Sequence, residues 1–207
     1  VRVYLHVPPF LVGAADCSSP LDEMRCTVRV MPVFSFYQQN ARWLLAGLLI
    51  TGSSSFGQTY FISLFGAELR AAFGLSDGLF GWLYSVATIS SAATLIWLGS
   101  LADRWTVPRQ VLFSAAGLTC ACLSMAVLSL NSSSIGTMSA LIWLGATLFG
   151  LRLFGQGMMS HIGFTAMGRW FNRQRGKAVA IATLGFPLGE GLLPALTVML
   201  MGLIGWG

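Results

Sequence analysis

Five long stretches of the chain are almost wholly apolar and alternate with short polar segments. They cover residues 43–67, 79–102, 110–130, 139–164 and 178–203. A helix needs about 20 apolar residues to cross the ~30 Å hydrocarbon core of a bilayer, and each stretch is long enough. Strands of a membrane barrel would instead alternate apolar and polar positions over short segments. The pattern predicts an all-α membrane protein with about five transmembrane helices.

Composition and charge agree with a protein that lies in a membrane. Hydrophobic residues make up 55% of the chain and charged residues only 9%, whereas a soluble domain carries about 25% charged residues. The net charge of +5 is unevenly distributed. One set of loops holds seven basic residues: Arg42, Arg104, Arg109, Arg169, Arg173, Arg175 and Lys177. The opposite loops hold only Arg70.

This asymmetry follows the positive-inside rule, so the basic loops are predicted to face the cytoplasm. We therefore expect a multi-pass protein of the cytoplasmic (inner or plasma) membrane with a cytoplasmic N-terminus. The basic excess is explained by topology, and the predicted partner is the lipid bilayer, not nucleic acid.

The first 42 residues differ from the rest of the chain. They include Pro8-Pro9 and contain no uninterrupted apolar span. Residues 1–42 are predicted to be an N-terminal tail, with Met31 as the working start and the residues before it disordered or not part of the natural protein. Residues 43–207 are predicted to form an incomplete N-terminal transmembrane helical domain.

Two charged residues interrupt apolar stretches of membrane-spanning length. Arg152 lies within 139–164 and Glu190 within 178–203. Intramembrane ions are costly and therefore indicate functional sites. Both residues lie about 18 Å from the cytoplasmic ends of adjacent antiparallel helices, so a direct salt bridge is geometrically feasible. Either they serve substrate or proton binding, or they form a permanent structural ion pair.

Further polar residues lie near these ions. Arg152 and Gln156 repeat at four-residue spacing, as do Ser54 and Gln58 in the first stretch. Such stripes line a helix contact or a water-filled cavity, and we expect Gln156 and Gln58 to line a cavity. The two prolines that flank Glu190 remove helical hydrogen bonds, so a kink is predicted at Pro187 and Pro194. The kink is either part of a broken-helix binding site or a packing feature.

No enzyme motif is present in the sequence. It contains neither H-E-x-x-H nor a serine beside a plausible base, and its four cysteines have no metal-ligand spacing. No metal and no cofactor are predicted. Gly185 and Gly189 have the spacing at which small residues let transmembrane helices approach closely, which predicts a packed bundle.

A short motif follows the second apolar stretch. Residues Gly99, Leu101, Ala102, Asp103 and Arg104 resemble the loop signature G-x-L-A-D-R of the major facilitator superfamily. The resemblance implies that Gly99 permits two helices to approach closely. It also implies that Asp103 and Arg104 belong to a cytoplasmic gate. The Arg152-x-x-x-Gln156-Gly157 sequence is similar to the family's fourth-helix motif. Arg169–Ala178 resembles the following loop of the monocarboxylate and oxalate/formate branch.

The resemblance covers roughly residues 40–207 and implies a six-helix half of a twelve-helix secondary transporter. We therefore expect an N-terminal fragment whose partners are the missing C-terminal half, a small solute such as an organic anion, and possible coupling protons. The implied function is symport, antiport or facilitated transport by alternating access. The alternative is a non-transporting membrane subunit, a scaffold that binds partner helices.

Overall fold

The computed structural model describes residues 33–100, 104–131 and 136–204, and every regular element in these ranges is helical. The α-helices are α1 (Val33–Ser53), α2 (Thr59–Leu64), α3 (Gly66–Phe73), α4 (Asp77–Gly99), α5 (Val107–Leu130), α6 (Thr137–Gly150), α7 (Ser160–Trp170), α8 (Arg175–Thr183) and α9 (Gly185–Ile204). A 3₁₀ turn at Ser54–Gly57 joins α1 to α2, and a π-helix at Leu151–Met159 joins α6 to α7. The predicted all-α class is confirmed.

The chain divides into two units, Val1–Trp43 and Leu44–Gly207. The described part of the first unit is helical. In it, Asn40 Nδ2 donates a hydrogen bond to the Phe36 carbonyl at 3.0 Å, and the Arg42 guanidinium lies 5.2 Å from the Trp43 ring centre. Helix α1 thus begins within the predicted tail of residues 1–42. The predicted start at Met31 and the disorder before it lie outside the described residues.

Four helical stretches in the described ranges are long and apolar enough to cross a membrane. They are Asp77–Gly99, Val107–Leu130, Thr137–Trp170 and Arg175–Leu203. The predicted fifth span at residues 43–67 is corrected, because this stretch is helical but broken at Ser54–Gly57. Serine side chains compete here for the carbonyls of the helix backbone. The Ser53 hydroxyl donates to the Leu49 carbonyl and the Ser54 hydroxyl to the Thr51 carbonyl. Such local hydrogen bonds weaken or bend helices.

The exterior of the second unit is far more apolar than that of a soluble protein. Large apolar side chains are strongly exposed, including Ile96 at 78% and Trp97 at 81%. Polar side chains such as Thr51, Gln110 and Ser114 are buried. An apolar exterior of this extent requires a hydrocarbon environment. The second unit is therefore a multi-pass membrane bundle.

Gly185 and Gly189 lie where α9 packs against the first apolar stretch. A Cβ atom at Gly185 would lie 2.7 Å from both the Gly52 nitrogen and the Leu48 carbonyl oxygen. A Cβ atom at Gly189 would lie 2.8 Å from Ser55 Cβ. Only glycine permits so close an approach, so the predicted small-residue helix contact is confirmed.

A short turn orients α4, the helix that faces Arg152. Gly74 ends α3 with φ 62° and ψ 34°, a left-handed conformation that glycine adopts at little cost. Ser76 then caps α4 by accepting a hydrogen bond from the Leu79 nitrogen at 3.2 Å. Arg70 forms a salt bridge with Asp77 in the first turn of α4. Because Asp77 is exposed, this ion pair contributes little to stability.

Candidate functional site

The site begins at the break in the first apolar stretch. After the 3₁₀ turn, Gln58 is extended, with φ −77° and ψ 152°, and α2 starts at Thr59. The side chain of Gln58 is half-buried. The predicted helical stripe of Ser54 and Gln58 is therefore wrong, because the two residues do not lie on one continuous helix.

A π-helix of nine residues lies opposite this break, within the long helical stretch Thr137–Trp170. π-Helical hydrogen bonds run from residue i to i+5; they are rare and occur frequently at functional sites. This segment carries Arg152 and Gln156, both half-buried. The four-residue stripe of Arg152 and Gln156 assumed α-helical winding, and the wider π winding changes that register.

The two irregular segments touch through their backbones. A Cβ atom at Gly155 would lie 2.7 Å from both the Cα and the nitrogen of Gly57, and a Cβ atom at Gly57 would lie 2.6 Å from the Gln156 nitrogen. Since the obstructing atoms belong to the backbone, neither position has room for a side chain. This contact fixes the position of the π-helix against the break and brings Arg152 beside α2.

Arg152 is held by the residues around the break, not by an acid. Its Nη1 donates to Thr59 Oγ1 at 3.2 Å and lies 3.4 Å from the Gly57 carbonyl oxygen. The guanidinium carbon lies 5.3 Å from the ring centre of Tyr84 on α4, a distance typical of a cation–π interaction. Nε is buried without a hydrogen-bond partner, whereas Nη2 is not fully buried and makes no hydrogen bond to a described residue.

The proposed pair of Arg152 and Glu190 does not form an ion pair. In the described part of the chain, the salt bridge that occurs joins Arg70 and Asp77. Glu190 is exposed on α9. The reason is the packing of α9: its glycine face, which includes Gly189, contacts the first stretch, and Glu190 projects about 100° away from Gly189. Of the two alternatives, the permanent structural ion pair is therefore wrong.

The two prolines have different structural roles. The break in the last stretch occurs at Leu184, whose nitrogen bonds to the Ile181 carbonyl at 3.1 Å. Pro187 lies in the first turn of α9, just after this break, and its missing N–H removes the helical bond to the Thr183 carbonyl. Pro194 lies inside α9, which continues through it to Ile204. It leaves the Glu190 carbonyl without its helical donor.

The cytoplasmic gate motif is only partly within the described residues. Asp103 lies outside them, and Arg104 is exposed. A Cβ atom at Gly99 would meet no atom within 4 Å, so the close helix approach expected at Gly99 does not occur in the described structure. Arg109 stacks on the Trp105 ring at 5.1 Å.

A cavity of about 500 Å³ lies on another side of the bundle, between α2, α3 and α5. Its lining is almost entirely apolar and includes Phe61, Phe65, Met125 and Leu151. The predicted site residues, Arg152, Glu190, Gln156 and Gln58, do not line it. It is therefore distinct from the polar cavity that the sequence predicted.

Thr59 and Tyr84 are neighbours of Arg152 that sequence reasoning missed. Their hydroxyl oxygens lie 2.9 Å apart, although they belong to different helices. A weak signal existed for Thr59, because it follows Gln58 in a cluster of polar residues. Tyr84 gave none, since its position in an apolar stretch is equally typical of packing or of an interface aromatic.

Comparison with known proteins identifies the family. The model of the Major Facilitator Superfamily matches residues 47–207, which is more than half of the chain. Searches of curated proteins and of solved structures each found no significant match. The matched residues include Arg152 and its neighbours Gly57, Thr59 and Tyr84, which together form the polar cluster around Arg152. The chain belongs to the major facilitator superfamily and is a multi-pass membrane transporter of that type.

Proposed function

We propose that this protein carries a small organic anion across the membrane by alternating access, with Arg152 as the residue that receives the anionic group. The observation that supports this is the state of its guanidinium. Nη1 is held by Thr59 and Gly57, no acid among the described residues pairs with the guanidinium, and Nη2 is not fully buried. Holding an unpaired cation within a membrane span costs free energy, so such residues usually mark a binding site for a substrate or an ion.

Gln156, Gln58 and Glu190 are proposed to line the transport path near Arg152. Gln156 and Gln58 flank the contact between the π-helix and the break. Glu190 is exposed on α9 and forms no ion pair with a described residue, which suits an acid that takes up a proton from water. A transport path lined by these residues is compatible with symport, antiport and facilitated exchange. Asp103 and Arg104 are proposed to act in a cytoplasmic gate, and the N-terminus is proposed to be cytoplasmic.

An uptake panel tests the charge class of the solute. The complete transporter in liposomes is expected to take up at least one of formate, lactate and oxalate, and not the uncharged solutes glycerol and glucose. The physical reason is that a guanidinium in a dry site stabilises a carboxylate strongly through charge-assisted hydrogen bonds. Radiolabelled uptake measures the result, and protein-free liposomes are the control. Uptake of only uncharged solutes would refute an organic-anion transporter.

The position of Glu190 in a water-filled path is tested by labelling. A Glu190→Cys variant, in a background without the native cysteines, is expected to react with a membrane-impermeant thiol reagent, because thiolates form only in water. Leu192→Cys is the matched control, since Leu192 is 59% exposed and projects from the opposite side of α9, about 200° away. It should face lipid and stay unlabelled. Equal labelling of both, or of neither, contradicts a path beside Glu190.

A further inference from the structure

Arg152, Thr59 and Tyr84 form a hydrogen-bonded chain, and chemistry fixes the direction of its first bond. Arg152 Nη1 lies 3.2 Å from Thr59 Oγ1, which in turn lies 2.9 Å from Tyr84 Oη. Distances alone do not say which hydroxyl donates. A guanidinium, however, has only donors, so Thr59 Oγ1 must accept from Arg152.

Because Thr59 Oγ1 accepts the hydrogen bond from Arg152, the proton of the Thr59 hydroxyl is available for another partner. A threonine hydroxyl has one proton and two lone pairs, and its second partner is Tyr84 Oη. Donation of this proton to Tyr84 Oη is one of the two arrangements that the 2.9 Å contact allows, and it is the one in which a solute carboxylate can accept from Tyr84. The phenolic proton of Tyr84 is then unused, because Tyr84 Oη makes no other hydrogen bond to a described residue. The cation at the start of the chain polarises each following bond and strengthens this last donor.

Tyr84 and Arg152 are neighbours on both sides of Thr59. The Tyr84 ring lies beneath the guanidinium, 5.3 Å from its carbon atom. The two groups also share Thr59 Oγ1 as a neighbour, so their separation is fixed from both sides. The spare donors are Nη2 of Arg152, which is not fully buried, and the phenolic proton of Tyr84. Two donors at the edge of one cation suit the two oxygens of a carboxylate.

We propose that Tyr84 is a second anion-binding residue, whose hydroxyl donates to one carboxylate oxygen of the solute while Arg152 Nη2 binds the other. Thr59 is a positioning residue, because it orients the phenolic proton without contacting the solute. The inference rests on the proposed function, in which Arg152 receives the anion. It assigns the solute to the carboxylates and gives the site a second donor.

Kinetics of uptake by the complete transporter in liposomes test this assignment, with whichever of formate, lactate and oxalate the wild type takes up best. Tyr84→Phe keeps the ring under the guanidinium and removes only the donor, so KM is expected to rise roughly 10-fold, the usual effect of one hydrogen bond to a charged group. The maximal rate should stay unchanged. Thr59→Val should raise KM by a smaller factor, and Thr59→Ser should restore the wild-type value.

Tyr60→Phe is the matched control, because it removes the same atom from a neighbouring tyrosine whose hydroxyl is buried without a hydrogen-bond partner. Its KM should equal that of the wild type. An unchanged KM in Tyr84→Phe, or an equal rise in Tyr60→Phe, would overturn the role of Tyr84 while leaving the proposed function intact. If the wild type takes up no carboxylate, both proposals fail together.

Discussion

Replacement of Arg152 by alanine is expected to abolish carboxylate uptake while the protein still inserts into the membrane. Truncating one partner of a buried charged contact costs about 2–5 kcal/mol, which corresponds to a roughly 30-fold or larger loss of affinity. Insertion should be unaffected or improved, since removal of an intramembrane charge lowers the cost of burial. Initial uptake rates and the amount of protein in purified membranes measure the two effects separately.

Two further variants sharpen this prediction. Arg152→Lys keeps the charge but loses the second terminal nitrogen, Nη2, which is left over when Nη1 contacts Gly57 and Thr59, so uptake should be only partly restored. Arg109→Ala is the matched arginine control, because Arg109 stacks on Trp105 outside the polar cluster. Its uptake should remain near that of the wild type. Normal uptake by Arg152→Ala would exclude Arg152 from the transport mechanism.

Gly155→Ala is expected to destabilise the folded protein by about 3 kcal/mol or more, at the upper end of the usual cost of overpacking. The added methyl group would lie 2.7 Å from the backbone of Gly57, which cannot move aside as a flexible side chain could. The variant should therefore lose its monodisperse peak in size-exclusion chromatography at a lower temperature than the wild type.

Gly202→Ala provides the control for the same substitution. Gly202 also lies in a helix, but its added methyl group would meet no atom within 4 Å. Because alanine favours helices by up to about 1 kcal/mol over glycine, this variant should be as stable as the wild type or slightly more stable. Equal melting of Gly155→Ala and the wild type would refute the backbone contact with Gly57.

The helical class was predictable because membrane-spanning segments must satisfy every backbone group internally. That constraint leaves a strong signal in residues 79–102 and 110–130, where the structure has α4 (Asp77–Gly99) and α5 (Val107–Leu130). The family was predictable from Gly99 to Arg104 and from Arg152 to Gly157, and the family match confirms it. Small-residue spacing likewise predicted the contact made by Gly185 and Gly189.

The details of the site were less predictable, and the reasons are physical. Depth along a helix can be counted from sequence, and it placed Arg152 and Glu190 at similar heights. The direction in which each side chain projects depends on which face packs, and the glycines of α9 decided that for Glu190. The π winding around Arg152 is also invisible to an α-helical periodicity. Tyr84 became recognisable only when α4 was placed beside Arg152.

The backbone contact between Gly57 and Gly155 has a mechanical consequence. Packed helices slide past one another when side chains between them can change rotamer, but no side chain separates these two glycines. The break and the π-helix must therefore turn about this point as a single pivot. A displacement of the break is therefore shared by the π-helix that carries Arg152, while each segment stays free to rotate about the contact.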